Sequence, residues 1–278
     1  MKRIVEKKTL GPHVKLMKIE APLIAKKQKP GQFIVLRTHQ DGERIPLTIV
    51  ASDSARGTIT VIFQEVGKTT RRLGQMNVGD SVADLVGPFG SPSDIRYYGT
   101  VVVVGGGAAT AVAYPEAREL EKAGNYVITI IGARSKDLIV LEEEMRAVSD
   151  ELYITTDDGS EGHHGIVTDV LKQLIEKGIK IDLVVDIGPA VMMKAVAELT
   201  RPYKIKTIAS LNPIMVDATG MCGGCRVTVG GETKFTCVDG PEFDAHLVDF
   251  DLLIARQRMY LEKEQVALRK WEEECRIK

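Results

Sequence analysis

The sequence predicts an antiparallel β-barrel, then a parallel α/β domain, then a small cysteine-containing unit and a terminal helix. Three observations carry this prediction. Short alternating segments separated by turn residues fill the first part of the chain. Apolar strands alternate with helical segments in the middle, and three of the four cysteines fall within residues 222–237. The first pattern is typical of antiparallel sheets, and the second of a parallel sheet covered by helices.

Composition narrows the classes of protein that this chain can belong to. Its 278 residues suggest about two domains, and 44% hydrophobic with 27% charged residues is typical of a folded chain. A formal charge of −1 argues against a strongly basic nucleic-acid surface, and 5% aromatic residues leave little for base stacking. The N-terminus lacks the apolar core of a signal peptide, and the longest apolar run, 101–114, is too short to cross a bilayer. We therefore expect a cytoplasmic protein without nucleic-acid or membrane partners.

Residues 1–96 are predicted to form the barrel. Alternating apolar and polar residues predict strands at 14–19, 32–37 and 58–63, and turn formers such as Gly11-Pro12 lie between them. The segment 87–93, rich in Gly, Pro and Ser, is predicted to be the linker that leaves the barrel.

Residues 97–210 are predicted to form the α/β domain. Val101 to Val104 is fully apolar, as in a strand that is buried on both faces. Helical and strand patterns then alternate: a helix to residue 123, a strand at 126–131, a helix at 141–148, a strand at 152–155, a helix at 167–176, a strand at 181–187, a helix at 190–199 and a last strand at 206–209.

Residues 211–249 and 250–278 are predicted as two further units. In the first, segments 226–229 and 233–236 form a hairpin around Gly230-Gly231. From Phe250 the chain is predicted to continue as one helix to residue 278. Apolar residues along that helix, among them the single tryptophan Trp271, predict that it docks a partner.

The glycines Gly105, Gly106 and Gly107 directly follow the first strand of the α/β domain and open a helix. At the carboxyl end of a parallel strand, glycine lets backbone N–H groups approach a pyrophosphate, and the helix N-terminus favours its charge. The sequence therefore predicts a nucleotide site at this edge, with a plain glycine-rich turn as the alternative. Further candidates that follow other strands of the same sheet are Asp157, Asp158, Gly188 and Pro189.

The cysteines of the third unit are spaced like the ligands of an iron–sulfur cluster. They are Cys222, Cys225 and Cys237. Plant-type [2Fe–2S] proteins use C-x4-C-x2-C and a distant fourth cysteine, and here Asp217 occupies the first position of that pattern. A carboxylate can bind iron, although it is a harder ligand than a thiolate. The alternative is a zinc site completed by His246 or Cys275.

These features together resemble the ferredoxin–NADP reductase superfamily, over nearly the whole chain. The order of units is similar to that of the electron-transfer subunit of type B dihydroorotate dehydrogenase. It is more similar still to the small subunit of NADH-dependent reduced ferredoxin:NADP+ oxidoreductases, the sulfide dehydrogenase subunit beta type. The most specific mark is the Asp217 and three-cysteine set followed by 239–241 (DGP), because Asp in place of Cys is characteristic of that small subunit. The other marks are 44–48 (RIPLT), 66–70 (VGKTT), 87–90 (GPFG), the Gly105 turn, 156–160 (TDDGS) and 187–189 (IGP).

The resemblance implies that FAD binds to the barrel. Thr48 would approach the flavin N5, and Leu47 would lie against the ring in place of the usual aromatic residue. Ile45 stands where the superfamily usually has Arg, and Arg44 comes one residue earlier. Ile187 replaces a cysteine that often lies beside the nicotinamide. The remaining flavin contacts that the resemblance implies are Pro46, Ile62, Gln64, Gly67, Thr69 and Thr70.

The resemblance also implies a function in electron transfer. Hydride would pass between NAD(H) and FAD and single electrons between FAD and a [2Fe–2S] cluster, so no catalytic side chain is expected. The implied partner is a larger subunit with another FAD and [4Fe–4S] clusters, in a heterodimer that performs electron bifurcation between NADH, NADPH and ferredoxin. Three alternatives remain open: the partner of a dihydroorotate dehydrogenase, a stand-alone NAD(P)H reductase, and a zinc-stabilised nucleotide-binding regulator.

Overall fold

The computed structural model describes residues 2–276, and its N-terminal part is an antiparallel sheet. The strands are β1 (Ile4–Gly11), β2 (Val14–Glu20), β3 (Phe33–Arg37), β4 (Ile45–Asp53), β5 (Thr58–Gln64) and β6 (Asp84–Phe89), and their order in the sheet is β1-β2-β5-β4-β3-β6. The segment 87–93 is therefore only partly a linker, because its first three residues continue β6 and Phe89 pairs with Phe33 of β3.

Backbone hydrogen bonds close this sheet into a barrel. The start of β1 lies beside the segment that enters β6: Arg3 and Ser81 form an antiparallel bridge, and the Val82 N–H donates to the Lys2 carbonyl at 3.1 Å. The barrel encloses fully buried apolar side chains such as Ile34 and Leu36. The predicted antiparallel barrel is confirmed.

Two helices interrupt the barrel strands, and the strand pattern of residues 1–96 does not indicate them. They are α1 (Pro22–Lys27) and α2 (Lys68–Gln75). Leu73 of α2 and Ile24 of α1 are buried in the barrel core. Both helices are short, so burial of one or two side chains against the barrel rather than a long helical period stabilises them.

The second sheet is parallel, as predicted, in its first six strands; a seventh, antiparallel edge strand at Glu242–Asp244 belongs to the next segment of the chain. Its strands are β7 (Thr100–Gly106), β8 (Tyr126–Ala133), β9 (Glu151–Thr156), β10 (His163–His164), β11 (Leu183–Ile187) and β12 (Thr207–Ser210), with helices α3 (Thr110–Lys122), α4 (Glu142–Arg146), α5 (Val167–Glu176) and α6 (Ala190–Thr200). The strand order is β10-β9-β8-β7-β11-β12. The chain thus winds outward from β7 on one side and from β11 on the other, and ligands of such sheets bind where the winding reverses.

Residues 211–249 contain a hairpin, a helical turn and a strand that joins the second sheet. The hairpin strands are β13 (Arg226–Val229) and β14 (Glu232–Phe235), followed by α7 (Thr236–Asp239) and β15 (Glu242–Asp244). β15 pairs antiparallel with β12, and Asp244 lies opposite Ile208. A three-residue strand has no periodicity that sequence reasoning could detect. The domain boundaries after residues 96, 210 and 249 stay predictions.

The C-terminal region is two helices, so the predicted single helix from Phe250 is wrong. α8 (Phe250–Gln257) and α9 (Leu261–Arg276) are separated by a turn at residues 258–260. Phe250 and Leu253 of α8 are buried with residues of α6, whereas Trp271 of α9 is buried against the region of α2. The two helices therefore pack against different parts of the chain, and the turn between them separates these contacts. No helix in the described part of the chain is long and apolar enough to cross a membrane.

A buried apolar contact fixes the barrel on the α/β domain. Val14, Val50 and Ile62 of the barrel pack with Ala111 and Val140 of the second domain. These side chains are removed from water, so their burial favours a fixed arrangement of the two domains. That arrangement sets the geometry of the cavities between them.

The carboxyl groups of a buried residue, Glu116, and a half-buried one, Glu242, connect α3 with β15. Glu116 is 2% exposed, one of its oxygens has no hydrogen-bond partner among the described residues, and the carboxyl group of Glu242 lies next to it. Ser93 donates to Glu242. Burial first, and then the neighbouring Glu242, raises the pKa of Glu116 well above its usual range; burial also raises the pKa of Glu242.

The raised pKa predicts how stability changes with pH. The folded chain holds a proton on Glu116 that the unfolded chain releases, so this contribution is complete at acidic pH and declines as the pH rises towards the folded-state pKa. We expect Glu116→Gln to flatten this decline and to stabilise the chain in alkaline buffer by about 1–3 kcal/mol, the cost of an uncompensated buried group. Urea unfolding at several pH values measures it, with exposed Glu121→Gln on the same helix as control. An unchanged slope for Glu116→Gln would contradict the prediction.

Candidate functional site

The first cavity lies between the barrel and the α/β domain. Pro46, Leu47 and Thr48 of β4 form one wall, and Ile187 and Gly188 at the end of β11 form the other. The cavity itself is about 150 Å³, so it takes one edge of a flavin ring rather than the whole ring system. The walls are mostly apolar, with the polar side chains of Thr48, Ser210 and Asn212 among the lining residues, which suits a flat aromatic ring system with polar edges. We call it the flavin-side cavity.

The second cavity lies at the point where the winding of the parallel sheet reverses. It has a volume of about 460 Å³, and Gly106, Gly107, Arg134, Asp157 and Pro189 contribute to its lining. Gly107 has φ +59°, and a Cβ atom built there would meet no other atom within 4 Å. The backbone at Gly107 is therefore open to a ligand at close range, as a pyrophosphate site requires. We call it the nucleotide-side cavity.

Three of the predicted flavin contacts, Gln64, Ile62 and Arg44, do not line the flavin-side cavity. Gln64 lines the nucleotide-side cavity rather than the flavin-side cavity. Ile62 is buried in the contact between the domains, and Arg44 is exposed; neither lines one of the two cavities. The Asp158 carboxylate accepts hydrogen bonds from the N–H and the hydroxyl of Ser160, and these bonds lower the pKa of Asp158. One oxygen of this carboxylate therefore already has partners within its own turn.

Gly105 has a packing role. A Cβ atom at this position would approach the Cα atom of Thr110 to 3.1 Å. Because that neighbour is backbone, it cannot move aside without displacing α3. Gly105 therefore permits the close approach of β7 and α3, and its two successors face the cavity.

The N-terminus of α2 is the predicted pyrophosphate site on the barrel. The Thr70 hydroxyl accepts from the Gly67 N–H and lies 3.1 Å from the Gly67 carbonyl oxygen, to which it donates. The Thr69 hydroxyl donates to the Glu43 carboxylate at 2.6 Å. Since both hydroxyl groups have partners within the chain, the free backbone N–H groups of the first helical turn are the donors available to an anion.

Two of the predicted cluster ligands are in direct contact. The Sγ atoms of Cys225 and Cys237 lie 3.2 Å apart, and each residue is 2% exposed. Burial, together with the neighbouring Cys225 thiol, raises the pKa of Cys237 to about 12. Thiolates are the ligands of metals, so these two side chains need a cation beside them to ionise. A pair of adjacent buried thiols suits an iron–sulfur cluster.

Asp217 and Cys222 occupy the outer part of the same loop. The Asp217 carboxylate accepts the Thr219 N–H and the Cys222 N–H, both at 2.9 Å. These hydrogen bonds, with that from Thr219 first, lower the pKa of Asp217. Cys222 is exposed, and its Sγ atom accepts from the Gly224 N–H at 3.4 Å. The structure thus pairs Asp217 with Cys222 through the backbone, and Cys225 with Cys237 through sulfur.

These two pairs do not form one closed set of ligands. Among residues 2–276, no three His, Cys, Asp or Glu side chains are arranged to hold one metal ion. His246, one of the two fourth ligands that the zinc alternative offers, has its Nε2 atom 2.9 Å from the Thr200 hydroxyl, so this nitrogen already has a partner outside the cysteine loop. Cys275 is exposed on α9. The assignment of the four cluster ligands stays a prediction.

Sequence reasoning missed two side chains that hold the cysteine loop. Arg256 of α8 donates to the Gly224 carbonyl at 3.2 Å, and Gln257 donates to the Asn212 carbonyl at 3.0 Å. Both bonds end on backbone carbonyl groups, which carry no signal in the sequence. They anchor the loop of the third unit to the C-terminal helices.

The barrel, the doubly wound domain and the thiol-rich loop define a class of protein: flavin- and nicotinamide-binding electron-transfer proteins with an iron–sulfur unit. The sequence model described as the iron–sulfur cluster binding domain of dihydroorotate dehydrogenase B matches residues 212–249. The fold alone is shared with more distant reductases, such as the Amycolatopsis cytochrome P450 reductase, with 16% identity over 73% of this chain and 66% of that one and a TM-score of 0.60.

Two similar proteins cover nearly the whole chain. A Thermotoga maritima protein described as a homolog of the electron transfer subunit of dihydroorotate dehydrogenase B (NAD(+)) is 44% identical over 96% of this chain and 94% of its own length. A chain of the NADH-dependent reduced ferredoxin-NADP oxidoreductase, whose structure addresses flavin-based electron bifurcation, is 43% identical, with a TM-score of 0.93 and 98% of both chains covered. The chain belongs to the family of dihydroorotate dehydrogenase B electron-transfer subunits and their homologues.

Membership confirms the predicted fold class and the predicted cofactors. The chain is an electron-transfer subunit of a flavin and iron–sulfur oxidoreductase, and its cofactors are FAD, an iron–sulfur cluster and NAD(H). Its homologues are electron-transfer subunits of heteromeric complexes, which agrees with the predicted larger partner.

Proposed function

We propose that this chain is the small subunit of an NADH-dependent reduced ferredoxin:NADP+ oxidoreductase that bifurcates electrons. Its flavin would exchange hydride with NAD(H) and single electrons with a [2Fe–2S] cluster, which connects it to a larger subunit containing another FAD and [4Fe–4S] clusters. Ferredoxin and NADP(H) would react at that larger subunit. One cluster loop and one flavin-side cavity in this chain account for only part of such a reaction.

The position of the two cavities carries the proposal. Gly188 lines the flavin-side cavity, and the adjacent Pro189 lines the nucleotide-side cavity, so the loop after β11 is shared by both. A nicotinamide that reaches Gly188 would meet the edge of a flavin held by Leu47 and Thr48. The apolar side chain of Ile187 would exclude water from that contact, and orientation of the two rings is what this reaction needs from the protein.

Asp217 favours the ferredoxin-dependent enzyme over a dihydroorotate dehydrogenase. It stands at the first position of the cluster pattern, where the resemblance to the small subunit implies Asp in place of Cys. Identity supports the same choice: the ferredoxin-dependent chain is 43% identical over 98% of this chain, whereas the Geobacillus kaustophilus dihydroorotate dehydrogenase B subunit is 34% identical over 80%. The dihydroorotate dehydrogenase partner remains the second candidate, because the cluster unit matches that family.

Purification of the native complex tests this choice. We expect the chain to copurify with a larger flavoprotein, and the complex to reduce ferredoxin with NADPH only when NAD+ is also present. Formation of NADH from NAD+ with dihydroorotate as the electron donor would instead assign the chain to a dihydroorotate dehydrogenase. Omission of NAD+ is the control, since simple NADPH oxidation does not need it.

We expect the flavin to be FAD rather than FMN. Leu47 and Thr48 of β4 and the N-terminus of α2 are separate sites, and only a dinucleotide has both a flavin ring and an adenosine diphosphate part to occupy them. Flavin released from the purified chain by acid should therefore run as FAD on chromatography, and treatment with phosphodiesterase should convert it to FMN. A released flavin that runs as FMN before that treatment would contradict the prediction.

A further inference from the structure

A third cavity lies between α9 and the N-terminus of α2. Its volume is about 460 Å³, within the range of roughly 300–1,000 Å³ that is typical of small-molecule sites. Lys68, the first residue of α2, lines it from the barrel side, and Val266, Lys270 and Trp271 line it from α9. The cavity therefore joins the predicted pyrophosphate site of the barrel to the C-terminal helix, two parts of the chain that are far apart in sequence.

The lining combines an aromatic ring system with positive charge. Trp271 is 8% exposed, so its indole ring is held in place rather than free to move in solvent. The lysines Lys68, Lys263 and Lys270 outnumber the carboxylates Glu262 and Glu274 in the lining, and the N-terminus of α2 adds its free N–H groups. An indole ring beside a positively charged helix terminus is suited to a purine base that carries phosphates.

The position of α9 is determined by contacts with α2. Arg71 of α2 forms an ion pair with Glu272, the residue after Trp271. The two helices therefore approach each other beside the cavity, and this contact orients the α9 face that bears Trp271. A wall of the cavity is thus formed by packing within this chain.

The cavity is close to the flavin site along the chain. Glu43 accepts the hydrogen bond from Thr69 in the first turn of α2, and Leu47 follows only four residues later in the flavin-side wall. Four extended residues span at most roughly 14 Å. The wall of the flavin-side cavity is thus close to the N-terminus of α2, whose first residue, Lys68, lines the cavity beside Trp271.

We propose that α9 forms the outer wall of an adenosine-binding site, in which Trp271 stacks on the adenine of FAD and Lys68 and Lys270 lie beside its phosphates. This proposal rests on the flavin-binding function proposed above and adds the C-terminal helix to the site. It makes α9 a determinant of the preference for FAD over FMN, since FMN has no adenosine part to reach Trp271.

The test compares FAD and FMN binding to the full chain after removal and reloading of flavin. Trp271→Ala should weaken FAD binding about 10- to 100-fold and leave FMN binding unchanged, and Trp271→Phe should retain most of the FAD affinity. Addition of FAD, but not FMN, should quench the Trp271 fluorescence strongly. Equal effects of Trp271→Ala on both flavins, or none on either, would overturn the proposal.

A second variant keeps the test valid if Trp271→Ala does not fold. Lys270→Glu places a negative charge beside the phosphates without removing the buried indole, and should weaken FAD binding about 10-fold. Arg269→Glu makes the same change of charge on α9 outside the lining and should have little effect. Equal FAD affinity in these two variants would also reject the site. A wild-type chain that binds neither flavin would reject the proposed function itself, whereas FAD binding without discrimination by Trp271 rejects only the adenosine site.

Discussion

Replacement of Asp217 by alanine is expected to remove most of the iron–sulfur cluster from the chain. The change deletes a predicted ligand, and it also deletes the acceptor of the Thr219 and Cys222 N–H hydrogen bonds that shape the loop. Both losses act on the same loop, so we expect the iron content and the EPR signal of the reduced protein to fall by most of their value. Flavin content should fall much less than iron content, because the wall formed by Pro46, Leu47 and Thr48 lies on β4, although Met215 near Asp217 also lines the flavin-side cavity.

Two further variants separate these roles of Asp217. If the carboxylate binds iron, Asp217→Cys should keep a [2Fe–2S] cluster and shift its reduction potential, because a thiolate is a softer ligand. If Asp217 only caps the loop, Asp217→Asn should keep the cluster better than Asp217→Cys, since asparagine retains one of the two oxygen acceptors that hold the Thr219 and Cys222 N–H groups. Full iron content in Asp217→Ala would exclude both roles.

A matched control for this series is Asp244→Ala. Asp244 accepts the His246 N–H at 2.9 Å, the same kind of bond from carboxylate to backbone, at the end of β15. Its loss should leave the iron content and the EPR signal at the wild-type level. A comparable loss of iron in this variant would show that the unit is sensitive to any weakened turn.

A negative charge at Met259 is expected to separate this chain from its larger partner. Met259 and Tyr260, in the turn between α8 and α9, are 53% and 44% exposed, and they line a cavity together with Val216 and Cys222 of the cysteine loop. Met221, beside Cys222, is 85% exposed. Val216, Met221, Met259 and Tyr260 form an apolar area beside the predicted cluster, which we call the cluster-side face. Electrons that leave the cluster for another subunit have to cross the surface nearest to its ligands.

The expected loss is large because a charge at the centre of an interface is desolvated, and the arginines of the same lining, Arg226 and Arg256, already donate to the carbonyls of Gly223 and Gly224. Met259→Asp should weaken the complex by about 2 kcal/mol or more, roughly 30-fold, with flavin and cluster retained. Copurification of the tagged chain with the larger subunit measures the effect. Leu23→Asp on α1 is the control, since Leu23 is 78% exposed on the barrel. Full recovery of the complex with Met259→Asp would reject the cluster-side face as the docking surface.

A point variant is required for this test. Removal of the chain from Phe250 onward would take Phe250 and Leu253 out of the core that they share with α6, and it would also remove α9 from the cavity beside α2. Loss of the partner after such a truncation would not separate docking from folding. This follows from the two-helix structure of the C-terminal region, which a single predicted helix would not reveal.

Periodicity predicted the elements that are long or fully buried. The helix at 167–176 was predicted with both of its ends, and β7 was recognised from its apolar run at 101–104, because burial on both faces requires such a run. The strand β15 and the helices α1 and α2 were not predicted, because they are short and are stabilised by contacts with distant segments. Their sequences carry too few residues for a period to appear.

Spacing along the chain was enough to identify the residues that have the chemistry for this function. The glycines after β7 and β11, the pattern from Asp217 to Cys237 and the motif at Pro46–Thr48 are local, because spacing along one loop or strand fixes how backbone groups and ligands are presented. Which of these groups come together depends on the packing of segments that are distant in the sequence. Gln64 lies on the nucleotide side, Ile62 is buried between the domains, and Trp271 of the predicted docking helix packs beside the N-terminus of α2. The physical reason is that burial of apolar surface is not directional, so sequence pattern shows that a side chain is buried but not which distant surface covers it.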